Sequence, residues 1–344
     1  MRILFIPVSG GRGGGELQRS LILARRVRTL AGGPVDIRFL VHAQAPFPRE
    51  EFACVPLPAS PTRSEAEVAA AIAAFAPDAC LFDSSLRMSA LRAARAAGSR
   101  TAYISARPNS RWRGLDPRKR KLLDAHWLLT PERLGARAPW QERLGRRLLR
   151  RTRFGYFDAV FEPPDIDAAA RLLAGSGYAA FDYTLVCPGG AGYVVDGMSP
   201  VPLLAAAGAD AGAGAVLVVD PGGQSLPDGW TGLPRMPNRV LMGLVAQSRL
   251  NVVNGGGLLV QALALGTACL AVPMQEEQAG RIAAFAARDA VRTCAPRRAE
   301  IAAAWRTLED DSDARAALRA QASALGLRNG ADAIAAALLA LAAG

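Results

Sequence analysis

Residues 250–284 read LNVVNGGGLLVQALALGTACLAVPMQEEQAGRIAA, and they alternate between strand and helix patterns. A short apolar run at residues 250–253 meets Asn254 and three glycines, and residues 258–265 then have helical periodicity. A second apolar run at residues 268–272 stops at a proline, and a polar loop leads into another helix. Glycines between a strand and a helix let backbone N–H groups approach a phosphate closely, and the helix N-terminus adds partial positive charge. The pattern therefore predicts a diphosphate site in an α/β domain.

The spacing of this segment resembles the donor-sugar signature of GT-B glycosyltransferases. That signature has a His/Ser-Gly-Gly turn, an acid one to two turns into the next helix, a small-Gly-x-Pro segment, and a proline followed by an acid–Gln pair. The matching positions are Asn254, Gly255, Gly256, Gln261, Leu265, Gly266, Thr267, Ala268, Pro273, Glu277 and Gln278. Two departures matter: Asn254 replaces His or Ser, and Gln261 keeps an acceptor oxygen but not a charge.

The resemblance implies a role for each part of the signature. In the family the turn faces the diphosphate, the helix acid binds the ribose hydroxyls, and the acid–Gln pair binds the transferred sugar. By this resemblance residues 254–256 would face the diphosphate of a nucleotide sugar. Gln261 would lie near its ribose, and Glu277 and Gln278 would lie near its sugar.

A second glycine loop follows another strand pattern. Residues 183–187 are a short apolar run, and residues 188–192 then read Pro-Gly-Gly-Ala-Gly. This loop resembles the Gly-Gly-x-Gly turn that opens the C-terminal domain in the family of the peptidoglycan lipid-intermediate N-acetylglucosaminyltransferase. The resemblance implies that Gly189, Gly190 and Gly192 contact the donor phosphates.

The same resemblance places the nucleotide base at residues 230–238, where the family grips it largely through backbone groups. We expect Met236 and Asn238 to contact the base there. The resemblance implies no essential metal and no cofactor, because the family neutralises the leaving diphosphate with helix N-termini and side chains.

The beginning of the chain repeats the order of strand, glycine loop and helix. Residues 3–8 are apolar, a loop with Gly13, Gly14 and Gly15 follows, and residues 16–30 have an amphipathic helix pattern. This order is typical of the opening of a doubly wound sheet. The loop resembles the first loop of GT-B enzymes and the opening of the nucleotide-sugar hydrolase of pseudaminic acid synthesis. It is therefore a candidate phosphate or acceptor loop.

Two acids are candidates for the catalytic base. Glu16 stands where both families have histidine, and Arg19 matches an arginine of the hydrolase opening. Glu16 is also consistent with a helix N-terminal acid that the helix dipole favours. Asp83 ends the strand pattern at residues 77–83, where a parallel sheet faces its ligand crevice, or it caps the next helix. We expect an inverting displacement, in which one of these acids would deprotonate the acceptor hydroxyl.

The net charge is +11, and only two of the 41 basic residues are lysines. Residues 139–154 place Trp140 and Leu144 on one helical face and most of the arginines from Arg143 to Arg153 on the other. A basic amphipathic helix can lie on an anionic membrane surface. The alternative is a helix packed on the sheet with a solvated arginine face. No aromatic platform accompanies the arginines, so nucleic acid is not expected as a partner.

Length and composition favour two domains. We expect an N-terminal acceptor-binding domain at residues 1–162, a C-terminal nucleotide-sugar domain at residues 163–344, and a linker at residues 163–178. The five cysteines have no metal-like spacing and are expected to be buried free thiols. Neither a signal peptide nor an apolar run of membrane-spanning length is expected. The chain is therefore predicted to be cytoplasmic, or peripheral on the inner face of the membrane.

These patterns together predict an α/β protein of the GT-B class, with two Rossmann-like doubly wound domains facing across a cleft. The expected function is transfer of a sugar from a nucleotide-diphosphate donor, such as a UDP-sugar, to a hydroxyl of a small-molecule or lipid-linked acceptor. Two alternatives stay open. One is a nucleotide-sugar hydrolase of the same fold, and the other is a non-catalytic protein that binds sugar nucleotides or polyanions.

Overall fold

The computed structural model describes residues 1–10, 14–131, 140–147, 152–189, 194, 195 and 197–344. Within these residues the chain forms two compact units. Unit 1 consists of Met1–Val160 with Gly330–Gly344, and unit 2 consists of Phe161–Asn329. Each unit is built around its own parallel sheet.

Unit 1 contains a seven-stranded sheet with the order β3-β2-β1-β4-β5-β6-β7, in which every neighbouring pair is parallel. Its elements are β1 (Arg2–Pro7), α1 (Gly15–Leu30), β2 (Asp36–His42), β3 (Ala53–Leu57), α2 (Glu65–Phe75), β4 (Ala79–Asp83), α3 (Met88–Ala96), β5 (Arg100–Ser105), α4 (Pro108–Leu115), α5 (Pro117–Arg120), β6 (Ala125–Leu129), α6 (Trp140–Arg147) and β7 (Arg153–Phe157). The central strands are apolar along most of their length because helices cover both faces of a parallel sheet.

Unit 2 contains a six-stranded parallel sheet with the order β10-β9-β8-β11-β12-β13. Its elements are α7 (Ile166–Gly175), β8 (Thr184–Cys187), α8 (Pro200–Ala211), β9 (Val216–Val219), β10 (Thr231–Leu233), α9 (Asn238–Gln247), β11 (Leu250–Asn254), α10 (Gly257–Ala264), β12 (Cys269–Val272), α11 (Glu276–Ala286), β13 (Arg292–Thr293), α12 (Arg298–Asp310) and α13 (Ser312–Ala324), and α14 (Ala331–Ala342) follows them in the chain. The alternation of strands and helices in both units confirms the predicted doubly wound α/β class.

The last helix, α14, packs in unit 1. The sequence boundary assigned residues 163–344 to the C-terminal domain, whereas Gly330–Gly344 group with the first unit. Ile334, Leu338 and Leu341 of α14 are buried in the core that α1 also lines. Burial of each such side chain stabilises the fold by about 1.5–3 kcal/mol, so the contacts of α14 hold it in this core.

The segment expected to be a linker, residues 163–178, contains the helix α7. Asp165 caps this helix by accepting a hydrogen bond from the Ala168 N–H at 3.0 Å. The helix lies close to α9, since a Cβ on Gly243 would lie 2.5 Å from the Asp165 carbonyl oxygen and 2.8 Å from the Ala169 Cβ. The small residues that suggested a linker therefore serve close packing of two helices.

The basic helix expected at residues 139–154 is shorter than predicted. The structure describes it as α6 up to Arg147, and Arg153 belongs to the strand β7, while residues 148–151 lie outside the described residues. Trp140 and Leu144 on α6 are 63% and 48% exposed. The apolar face that the pattern predicted is therefore largely open to solvent at these two positions.

All five cysteines are free, and Cys80, Cys187 and Cys269 are buried in strands. Cys54 and Cys294 are only partly buried, so the expectation of buried free thiols is confirmed for three of the five. Among the described helices, none has the length and apolar character that crossing a bilayer requires.

Candidate functional site

The two glycine corners of unit 2 lie at the point where its strand order reverses. From β8 the chain proceeds to β9 and β10 on one side of the sheet, and it returns at β11 on the other side. β8 and β11 are neighbouring strands, and Cys187 pairs in register with Val253. Open α/β sheets form their ligand crevices at such a switch point, outside the carboxyl ends of the strands. The corners predicted from sequence are therefore neighbours in the fold.

Asn254 joins these two corners. Its side-chain amide donates from Nδ2 to the Pro188 carbonyl at 3.3 Å, and its Oδ1 accepts the Gly256 N–H at 2.9 Å. Gly189 has a φ of +86°, and a Cβ there would lie 2.1 Å from the Asn254 Nδ2. Glycine is required at position 189 by the left-handed backbone and by the close approach of the amide. The residue that stands in place of the family His/Ser thus ties the corners together.

Helix α11 packs directly against the Asn-Gly-Gly turn. A Cβ on Gly255 would lie 2.7 Å from the Gln278 Cβ and 2.8 Å from the Ile282 Cδ1. Gln278 is buried, and its Oε1 accepts the Met274 N–H at 2.8 Å. Arg281 donates from Nη1 to the Gly255 carbonyl at 3.1 Å. The turn is therefore held by close packing of Gly255 against Gln278 and Ile282 and by a hydrogen bond from the Arg281 guanidinium.

Helix α10 begins immediately after the turn. Gly256 is its N-cap residue and Gly257 is its first helical residue. The first N–H groups of an α-helix have no acceptor within the helix, and the macrodipole adds partial positive charge at this end. Because Asn254 already accepts the Gly256 N–H, an anion would meet the amides of the first turn beyond it.

The other positions predicted for the donor site lie on α10 and α11 or in the second glycine loop. Gln261 is half-buried on α10, and Glu277 is exposed in the first turn of α11. Gly190 and Gly192 of the other loop lie outside the described residues. Of that loop the structure therefore describes only Gly189 among the three glycines predicted to contact phosphate.

The segment predicted to hold the base precedes α9. Met236 is half-buried there. The Oδ1 of Asn238 accepts the Glu162 N–H at 2.8 Å, and the Glu162 Oε2 accepts the Arg239 N–H at 3.2 Å. These two bonds tie the start of α9 to the beginning of unit 2, so the side-chain oxygen of Asn238 has a structural role.

Unit 1 has a switch point of its own, at β1 and β4. The chain leaves β1 toward β2 and β3, and it returns on the other side of β1 at β4. Pro7 at the end of β1 pairs in register with Asp83 at the end of β4. Gly14 is the N-cap residue of α1 and Gly15 is its first residue, while Gly13 lies outside the described residues. Gly14 and Gly15 therefore follow β1 at the end of the sheet where Asp83 ends β4.

Asp83 is fully buried and is paired with Arg19. The guanidinium donates from Nε to Oδ2 at 2.9 Å and from Nη2 to Oδ1 at 2.5 Å, so both carboxylate oxygens are engaged. The hydroxyls of Ser20 and Ser84 each donate to the same carboxylate at 3.3 Å. Burial raises the pKa of Asp83, and the charge of Arg19 opposes that rise. The helix-cap alternative for Asp83 is wrong, because α3 takes Arg87 as its N-cap.

Ser84 follows Asp83 in a left-handed backbone conformation with a φ of +63°. Its N–H donates to the Ile104 carbonyl at 3.0 Å, and its own carbonyl accepts from the Arg113 Nη1 at 3.1 Å. Serine rarely adopts this conformation, and such residues cluster at ligand sites. The strain therefore coincides with the switch point of unit 1.

Glu16 lies in the first turn of α1, and 15% of its side chain is exposed. The Nη2 of Arg107 lies 3.3 Å from its Oε1, and the Arg107 side chain is 54% exposed. The position in the first turn agrees with stabilisation by the helix dipole. Solvent reaches Glu16 but not Asp83, although both belong to the same switch point.

The two histidines of the chain lie in unit 1. His126 is buried in β6, its Nε2 lies 2.8 Å from the Ser105 Oγ, and burial lowers its pKa to about 4. A Cβ on Gly114 would lie 2.5 Å from its ring. His42 ends β2, and its backbone N–H donates to the Ser9 Oγ at 2.9 Å. His126 is therefore a neutral core residue.

Among the described residues, no group of three or more His, Cys, Asp or Glu side chains could hold a metal ion. Residues 165–167 and 311–313 have Asp-x-Asp spacing. Asp165 caps α7, and Asp311 caps α13 by accepting the Ala314 N–H at 2.8 Å. Both segments therefore serve as helix caps.

Several solved glycosyltransferase structures resemble this chain along its length. The Spinosyn Forosaminyltransferase SpnP has a TM-score of 0.65 and 16% identity, and the match covers 100% of both chains. The glycosyltransferase VinC in complex with DTDP has a TM-score of 0.63 and 14% identity over 99% of both chains. Arabidopsis thaliana UGT89C1 complexed with UDP has a TM-score of 0.67 and 15% identity, over 98% of this chain and 99% of the other. The same plant protein has also been solved with quercetin.

These similarities confirm the predicted GT-B fold with two Rossmann-like units. No protein-family model matches the chain, and no curated protein sequence matches it. At identities of 14–16% the likeness establishes the fold rather than a substrate.

Two features of the site do not follow from the sequence patterns. They are the pairing of Arg19 with Asp83 and the contact of Arg281 with the glycine turn. The pair joins residues 64 positions apart, and only the fold brings them together. The sequence does single out Arg281 in one respect. It is the first basic residue after the glycine turn, because residues 250–280 contain no Lys or Arg.

Proposed function

We propose that this protein is a glycosyltransferase that moves a sugar from a nucleoside-diphosphate donor to an acceptor hydroxyl. Unit 2 binds the donor, and unit 1 binds the acceptor. The observation that carries the proposal is the junction of two glycine corners at the switch point of unit 2, with Asn254 bonded to both. Similar structures that were solved with DTDP and with UDP support a nucleoside diphosphate as the ligand class.

The donor diphosphate lies against the first turn of α10, where unpaired amides and the helix dipole offset its charge. Gln261 accepts from the ribose hydroxyls, and Glu277 accepts from hydroxyls of the sugar. Gln278 has its Oε1 engaged with the Met274 N–H, so its Nε2 is the group that contacts the sugar. The base lies against the segment around Met236, mainly through backbone groups.

Glu16 is the catalytic base in this proposal, because both oxygens of Asp83 are held by Arg19 inside the fold. The Glu16 carboxylate takes the proton of the acceptor hydroxyl, and the hydroxyl oxygen bonds to the anomeric carbon. The bond from that carbon to the diphosphate oxygen breaks on the opposite face, so the configuration inverts. The nucleoside diphosphate leaves with the electron pair, and the amides at α10 stabilise its charge. Arg107, whose side chain is 54% exposed, forms an ion pair with Glu16, and an acceptor displaces this arginine from the carboxylate.

The test is turnover with a panel of nucleotide sugars and hydroxyl acceptors, followed by mass spectrometry of the products. We expect a glycosylated acceptor, and Glu16→Gln should lower its formation by about 10²–10⁴-fold while nucleotide binding is kept. Glu50→Gln, at an exposed acid of unit 1, is the matched control and should transfer normally.

Three outcomes would contradict parts of this proposal. Full activity of Glu16→Gln would remove Glu16 as the base. Release of free sugar at the same rate with and without acceptor would identify a hydrolase instead. Nucleotide binding without turnover on any donor would identify a non-catalytic binding protein.

We also propose that unit 1 approaches an anionic membrane surface through α6 and is peripheral on its cytoplasmic side. Trp140, Arg143 and Leu144 on this helix are exposed. Glu142 faces the opposite way, since it is buried and accepts a hydrogen bond from the Tyr156 hydroxyl. An exposed Trp and Leu flanked by arginine is the arrangement that inserts shallowly into an anionic interface.

A further inference from the structure

The segments that form the two glycine corners carry almost no positive charge. Residues 172–234 contain no Lys or Arg, and residues 250–280 contain none either. A diphosphate bound at these corners would therefore find no cationic side chain on the strands, the turns or α10. Arg281 on α11 is the first basic residue after the turn.

The contacts of α11 place the guanidinium of Arg281 at the glycine turn. Arg281 donates from Nη1 to the Gly255 carbonyl at 3.1 Å and is half-buried. The backbone of Gly255 lies so close to α11 that a Cβ would come within 2.7 Å of the Gln278 Cβ. The helix and the turn are thus in direct contact, and the guanidinium lies at the Gly255–Gly256 peptide, immediately before the first-turn amides of α10 that an anion would meet.

We propose that Arg281 is the side-chain cation that offsets the charge of the donor diphosphate, in addition to positioning the turn. This inference rests on the proposed function, since it concerns the same nucleotide site. A guanidinium keeps its charge at all physiological pH values, and its planar fork of five donors suits phosphate oxygens. Partial burial reduces solvent screening, so the charge acts more strongly on a neighbouring anion than it would at the surface.

A purely structural role for Arg281 predicts a different outcome from a charge role. If the guanidinium only ties α11 to the Gly255 carbonyl, its loss should weaken every ligand of the site by a similar factor. If its charge acts on the diphosphate, the loss should grow with the number of phosphates. Glutamine at this position keeps a donor for the carbonyl but no charge, whereas lysine keeps the charge.

The experiment is calorimetric titration of the whole protein with uridine, UMP and UDP, and with thymidine, dTMP and dTDP. Arg281→Gln should weaken the preferred diphosphate by about tenfold or more, as expected for a charge-assisted hydrogen bond, and the nucleoside by less than about twofold. Arg281→Lys should stay within about threefold of the wild type. Arg288→Gln, at an exposed arginine just beyond α11, is the matched control and should change neither affinity. Raising the salt concentration should weaken the wild type more than Arg281→Gln.

Two results would overturn the inference alone. In both, the wild type still binds the nucleotides. In the first, Arg281→Gln leaves the diphosphate affinity unchanged. In the second, it lowers the affinity for nucleoside, monophosphate and diphosphate by the same factor. If the wild type binds none of the six compounds, the proposed nucleotide site itself fails and the role of Arg281 fails with it.

Discussion

Replacement of Gly189 by alanine tests the junction of the two glycine corners. The backbone at this position has a φ of +86°, which costs an L-residue about 1–2 kcal/mol. The new Cβ would lie 2.1 Å from the Asn254 Nδ2, so the amide must move. Its bonds to the Pro188 carbonyl and the Gly256 N–H would then be lost, at about 0.5–1.5 kcal/mol each. We therefore expect Gly189→Ala to lower the free energy of unfolding by about 2–5 kcal/mol.

Gly212→Ala separates backbone strain from the contact with Asn254. Gly212 has a φ of +75°, and a Cβ there would meet nothing within 4 Å, so its replacement should cost only about 1–2 kcal/mol. Asn254→Ala supplies the second control because it removes the amide that the new Cβ would strike. Added to Asn254→Ala, the Gly189 substitution should cost no more than the Gly212 substitution does.

Urea titrations of the four variants and the wild type give the unfolding free energies, and calorimetry with UDP and dTDP gives the affinities. Gly189→Ala should lose at least about tenfold in nucleotide affinity, because the turn that precedes α10 loses its tie to the neighbouring corner. Equal destabilisation by Gly189→Ala and Gly212→Ala would refute the reasoning, as would strictly additive effects of Gly189→Ala and Asn254→Ala.

Three further outcomes are expected. Acidification from pH 7 to pH 4 should lower the free energy of unfolding by about 3 kcal/mol through His126, because burial lowers its pKa to about 4 whereas an unfolded histidine takes up a proton near pH 6.5. Urea titrations should show that His126→Gln loses less unfolding free energy than the wild type over this pH range. An identical loss in both proteins would contradict this role of His126. Turnover should persist after dialysis against EDTA, since we propose that amides and a guanidinium stabilise the leaving group; activity lost and then restored by Mg²⁺ would speak against this. Joint replacement of Trp140 and Leu144 by serine should weaken cosedimentation with anionic vesicles about tenfold or more, with neutral vesicles as the control, and unchanged cosedimentation would argue against docking through α6.

The order of strands, glycine loops and helices could be predicted from the sequence because it depends on local patterns. The run before Asn254 is apolar and short, and the glycines after it interrupt the pattern before the next helix. The adjacency of the two corners also follows from the fold class, because parallel strands bring their carboxyl ends to one edge of the sheet. Residue-level roles that rest on the resemblance, such as those of Gln261 and Glu277, remain predictions.

Features that depend on contacts between distant parts of the chain could not be predicted from local sequence patterns. Arg19 is an ordinary residue of an amphipathic helix until the fold brings Asp83 to it, and the pairing then makes Asp83 a poor candidate for a base. The small residues of α7 have the composition of a linker, and the close packing of Gly243 against Ala169 is visible only in the fold. In the same way, Ile334 and Leu338 have a helical pattern that does not reveal which sheet they cover.

The position of α14 has a consequence for how the protein is made. Unit 1 draws its core from the first 160 residues and from Gly330–Gly344, while all of unit 2 is encoded between them. On a ribosome that synthesises the chain from its N-terminus, unit 2 emerges whole and is free to fold first. Unit 1 is synthesised earlier but cannot complete its core until α14 is made. Until then the face of α1 that Leu338 covers stays exposed to solvent. Chaperone capture during synthesis should therefore concentrate on the N-terminal half, even though that half leaves the ribosome earliest.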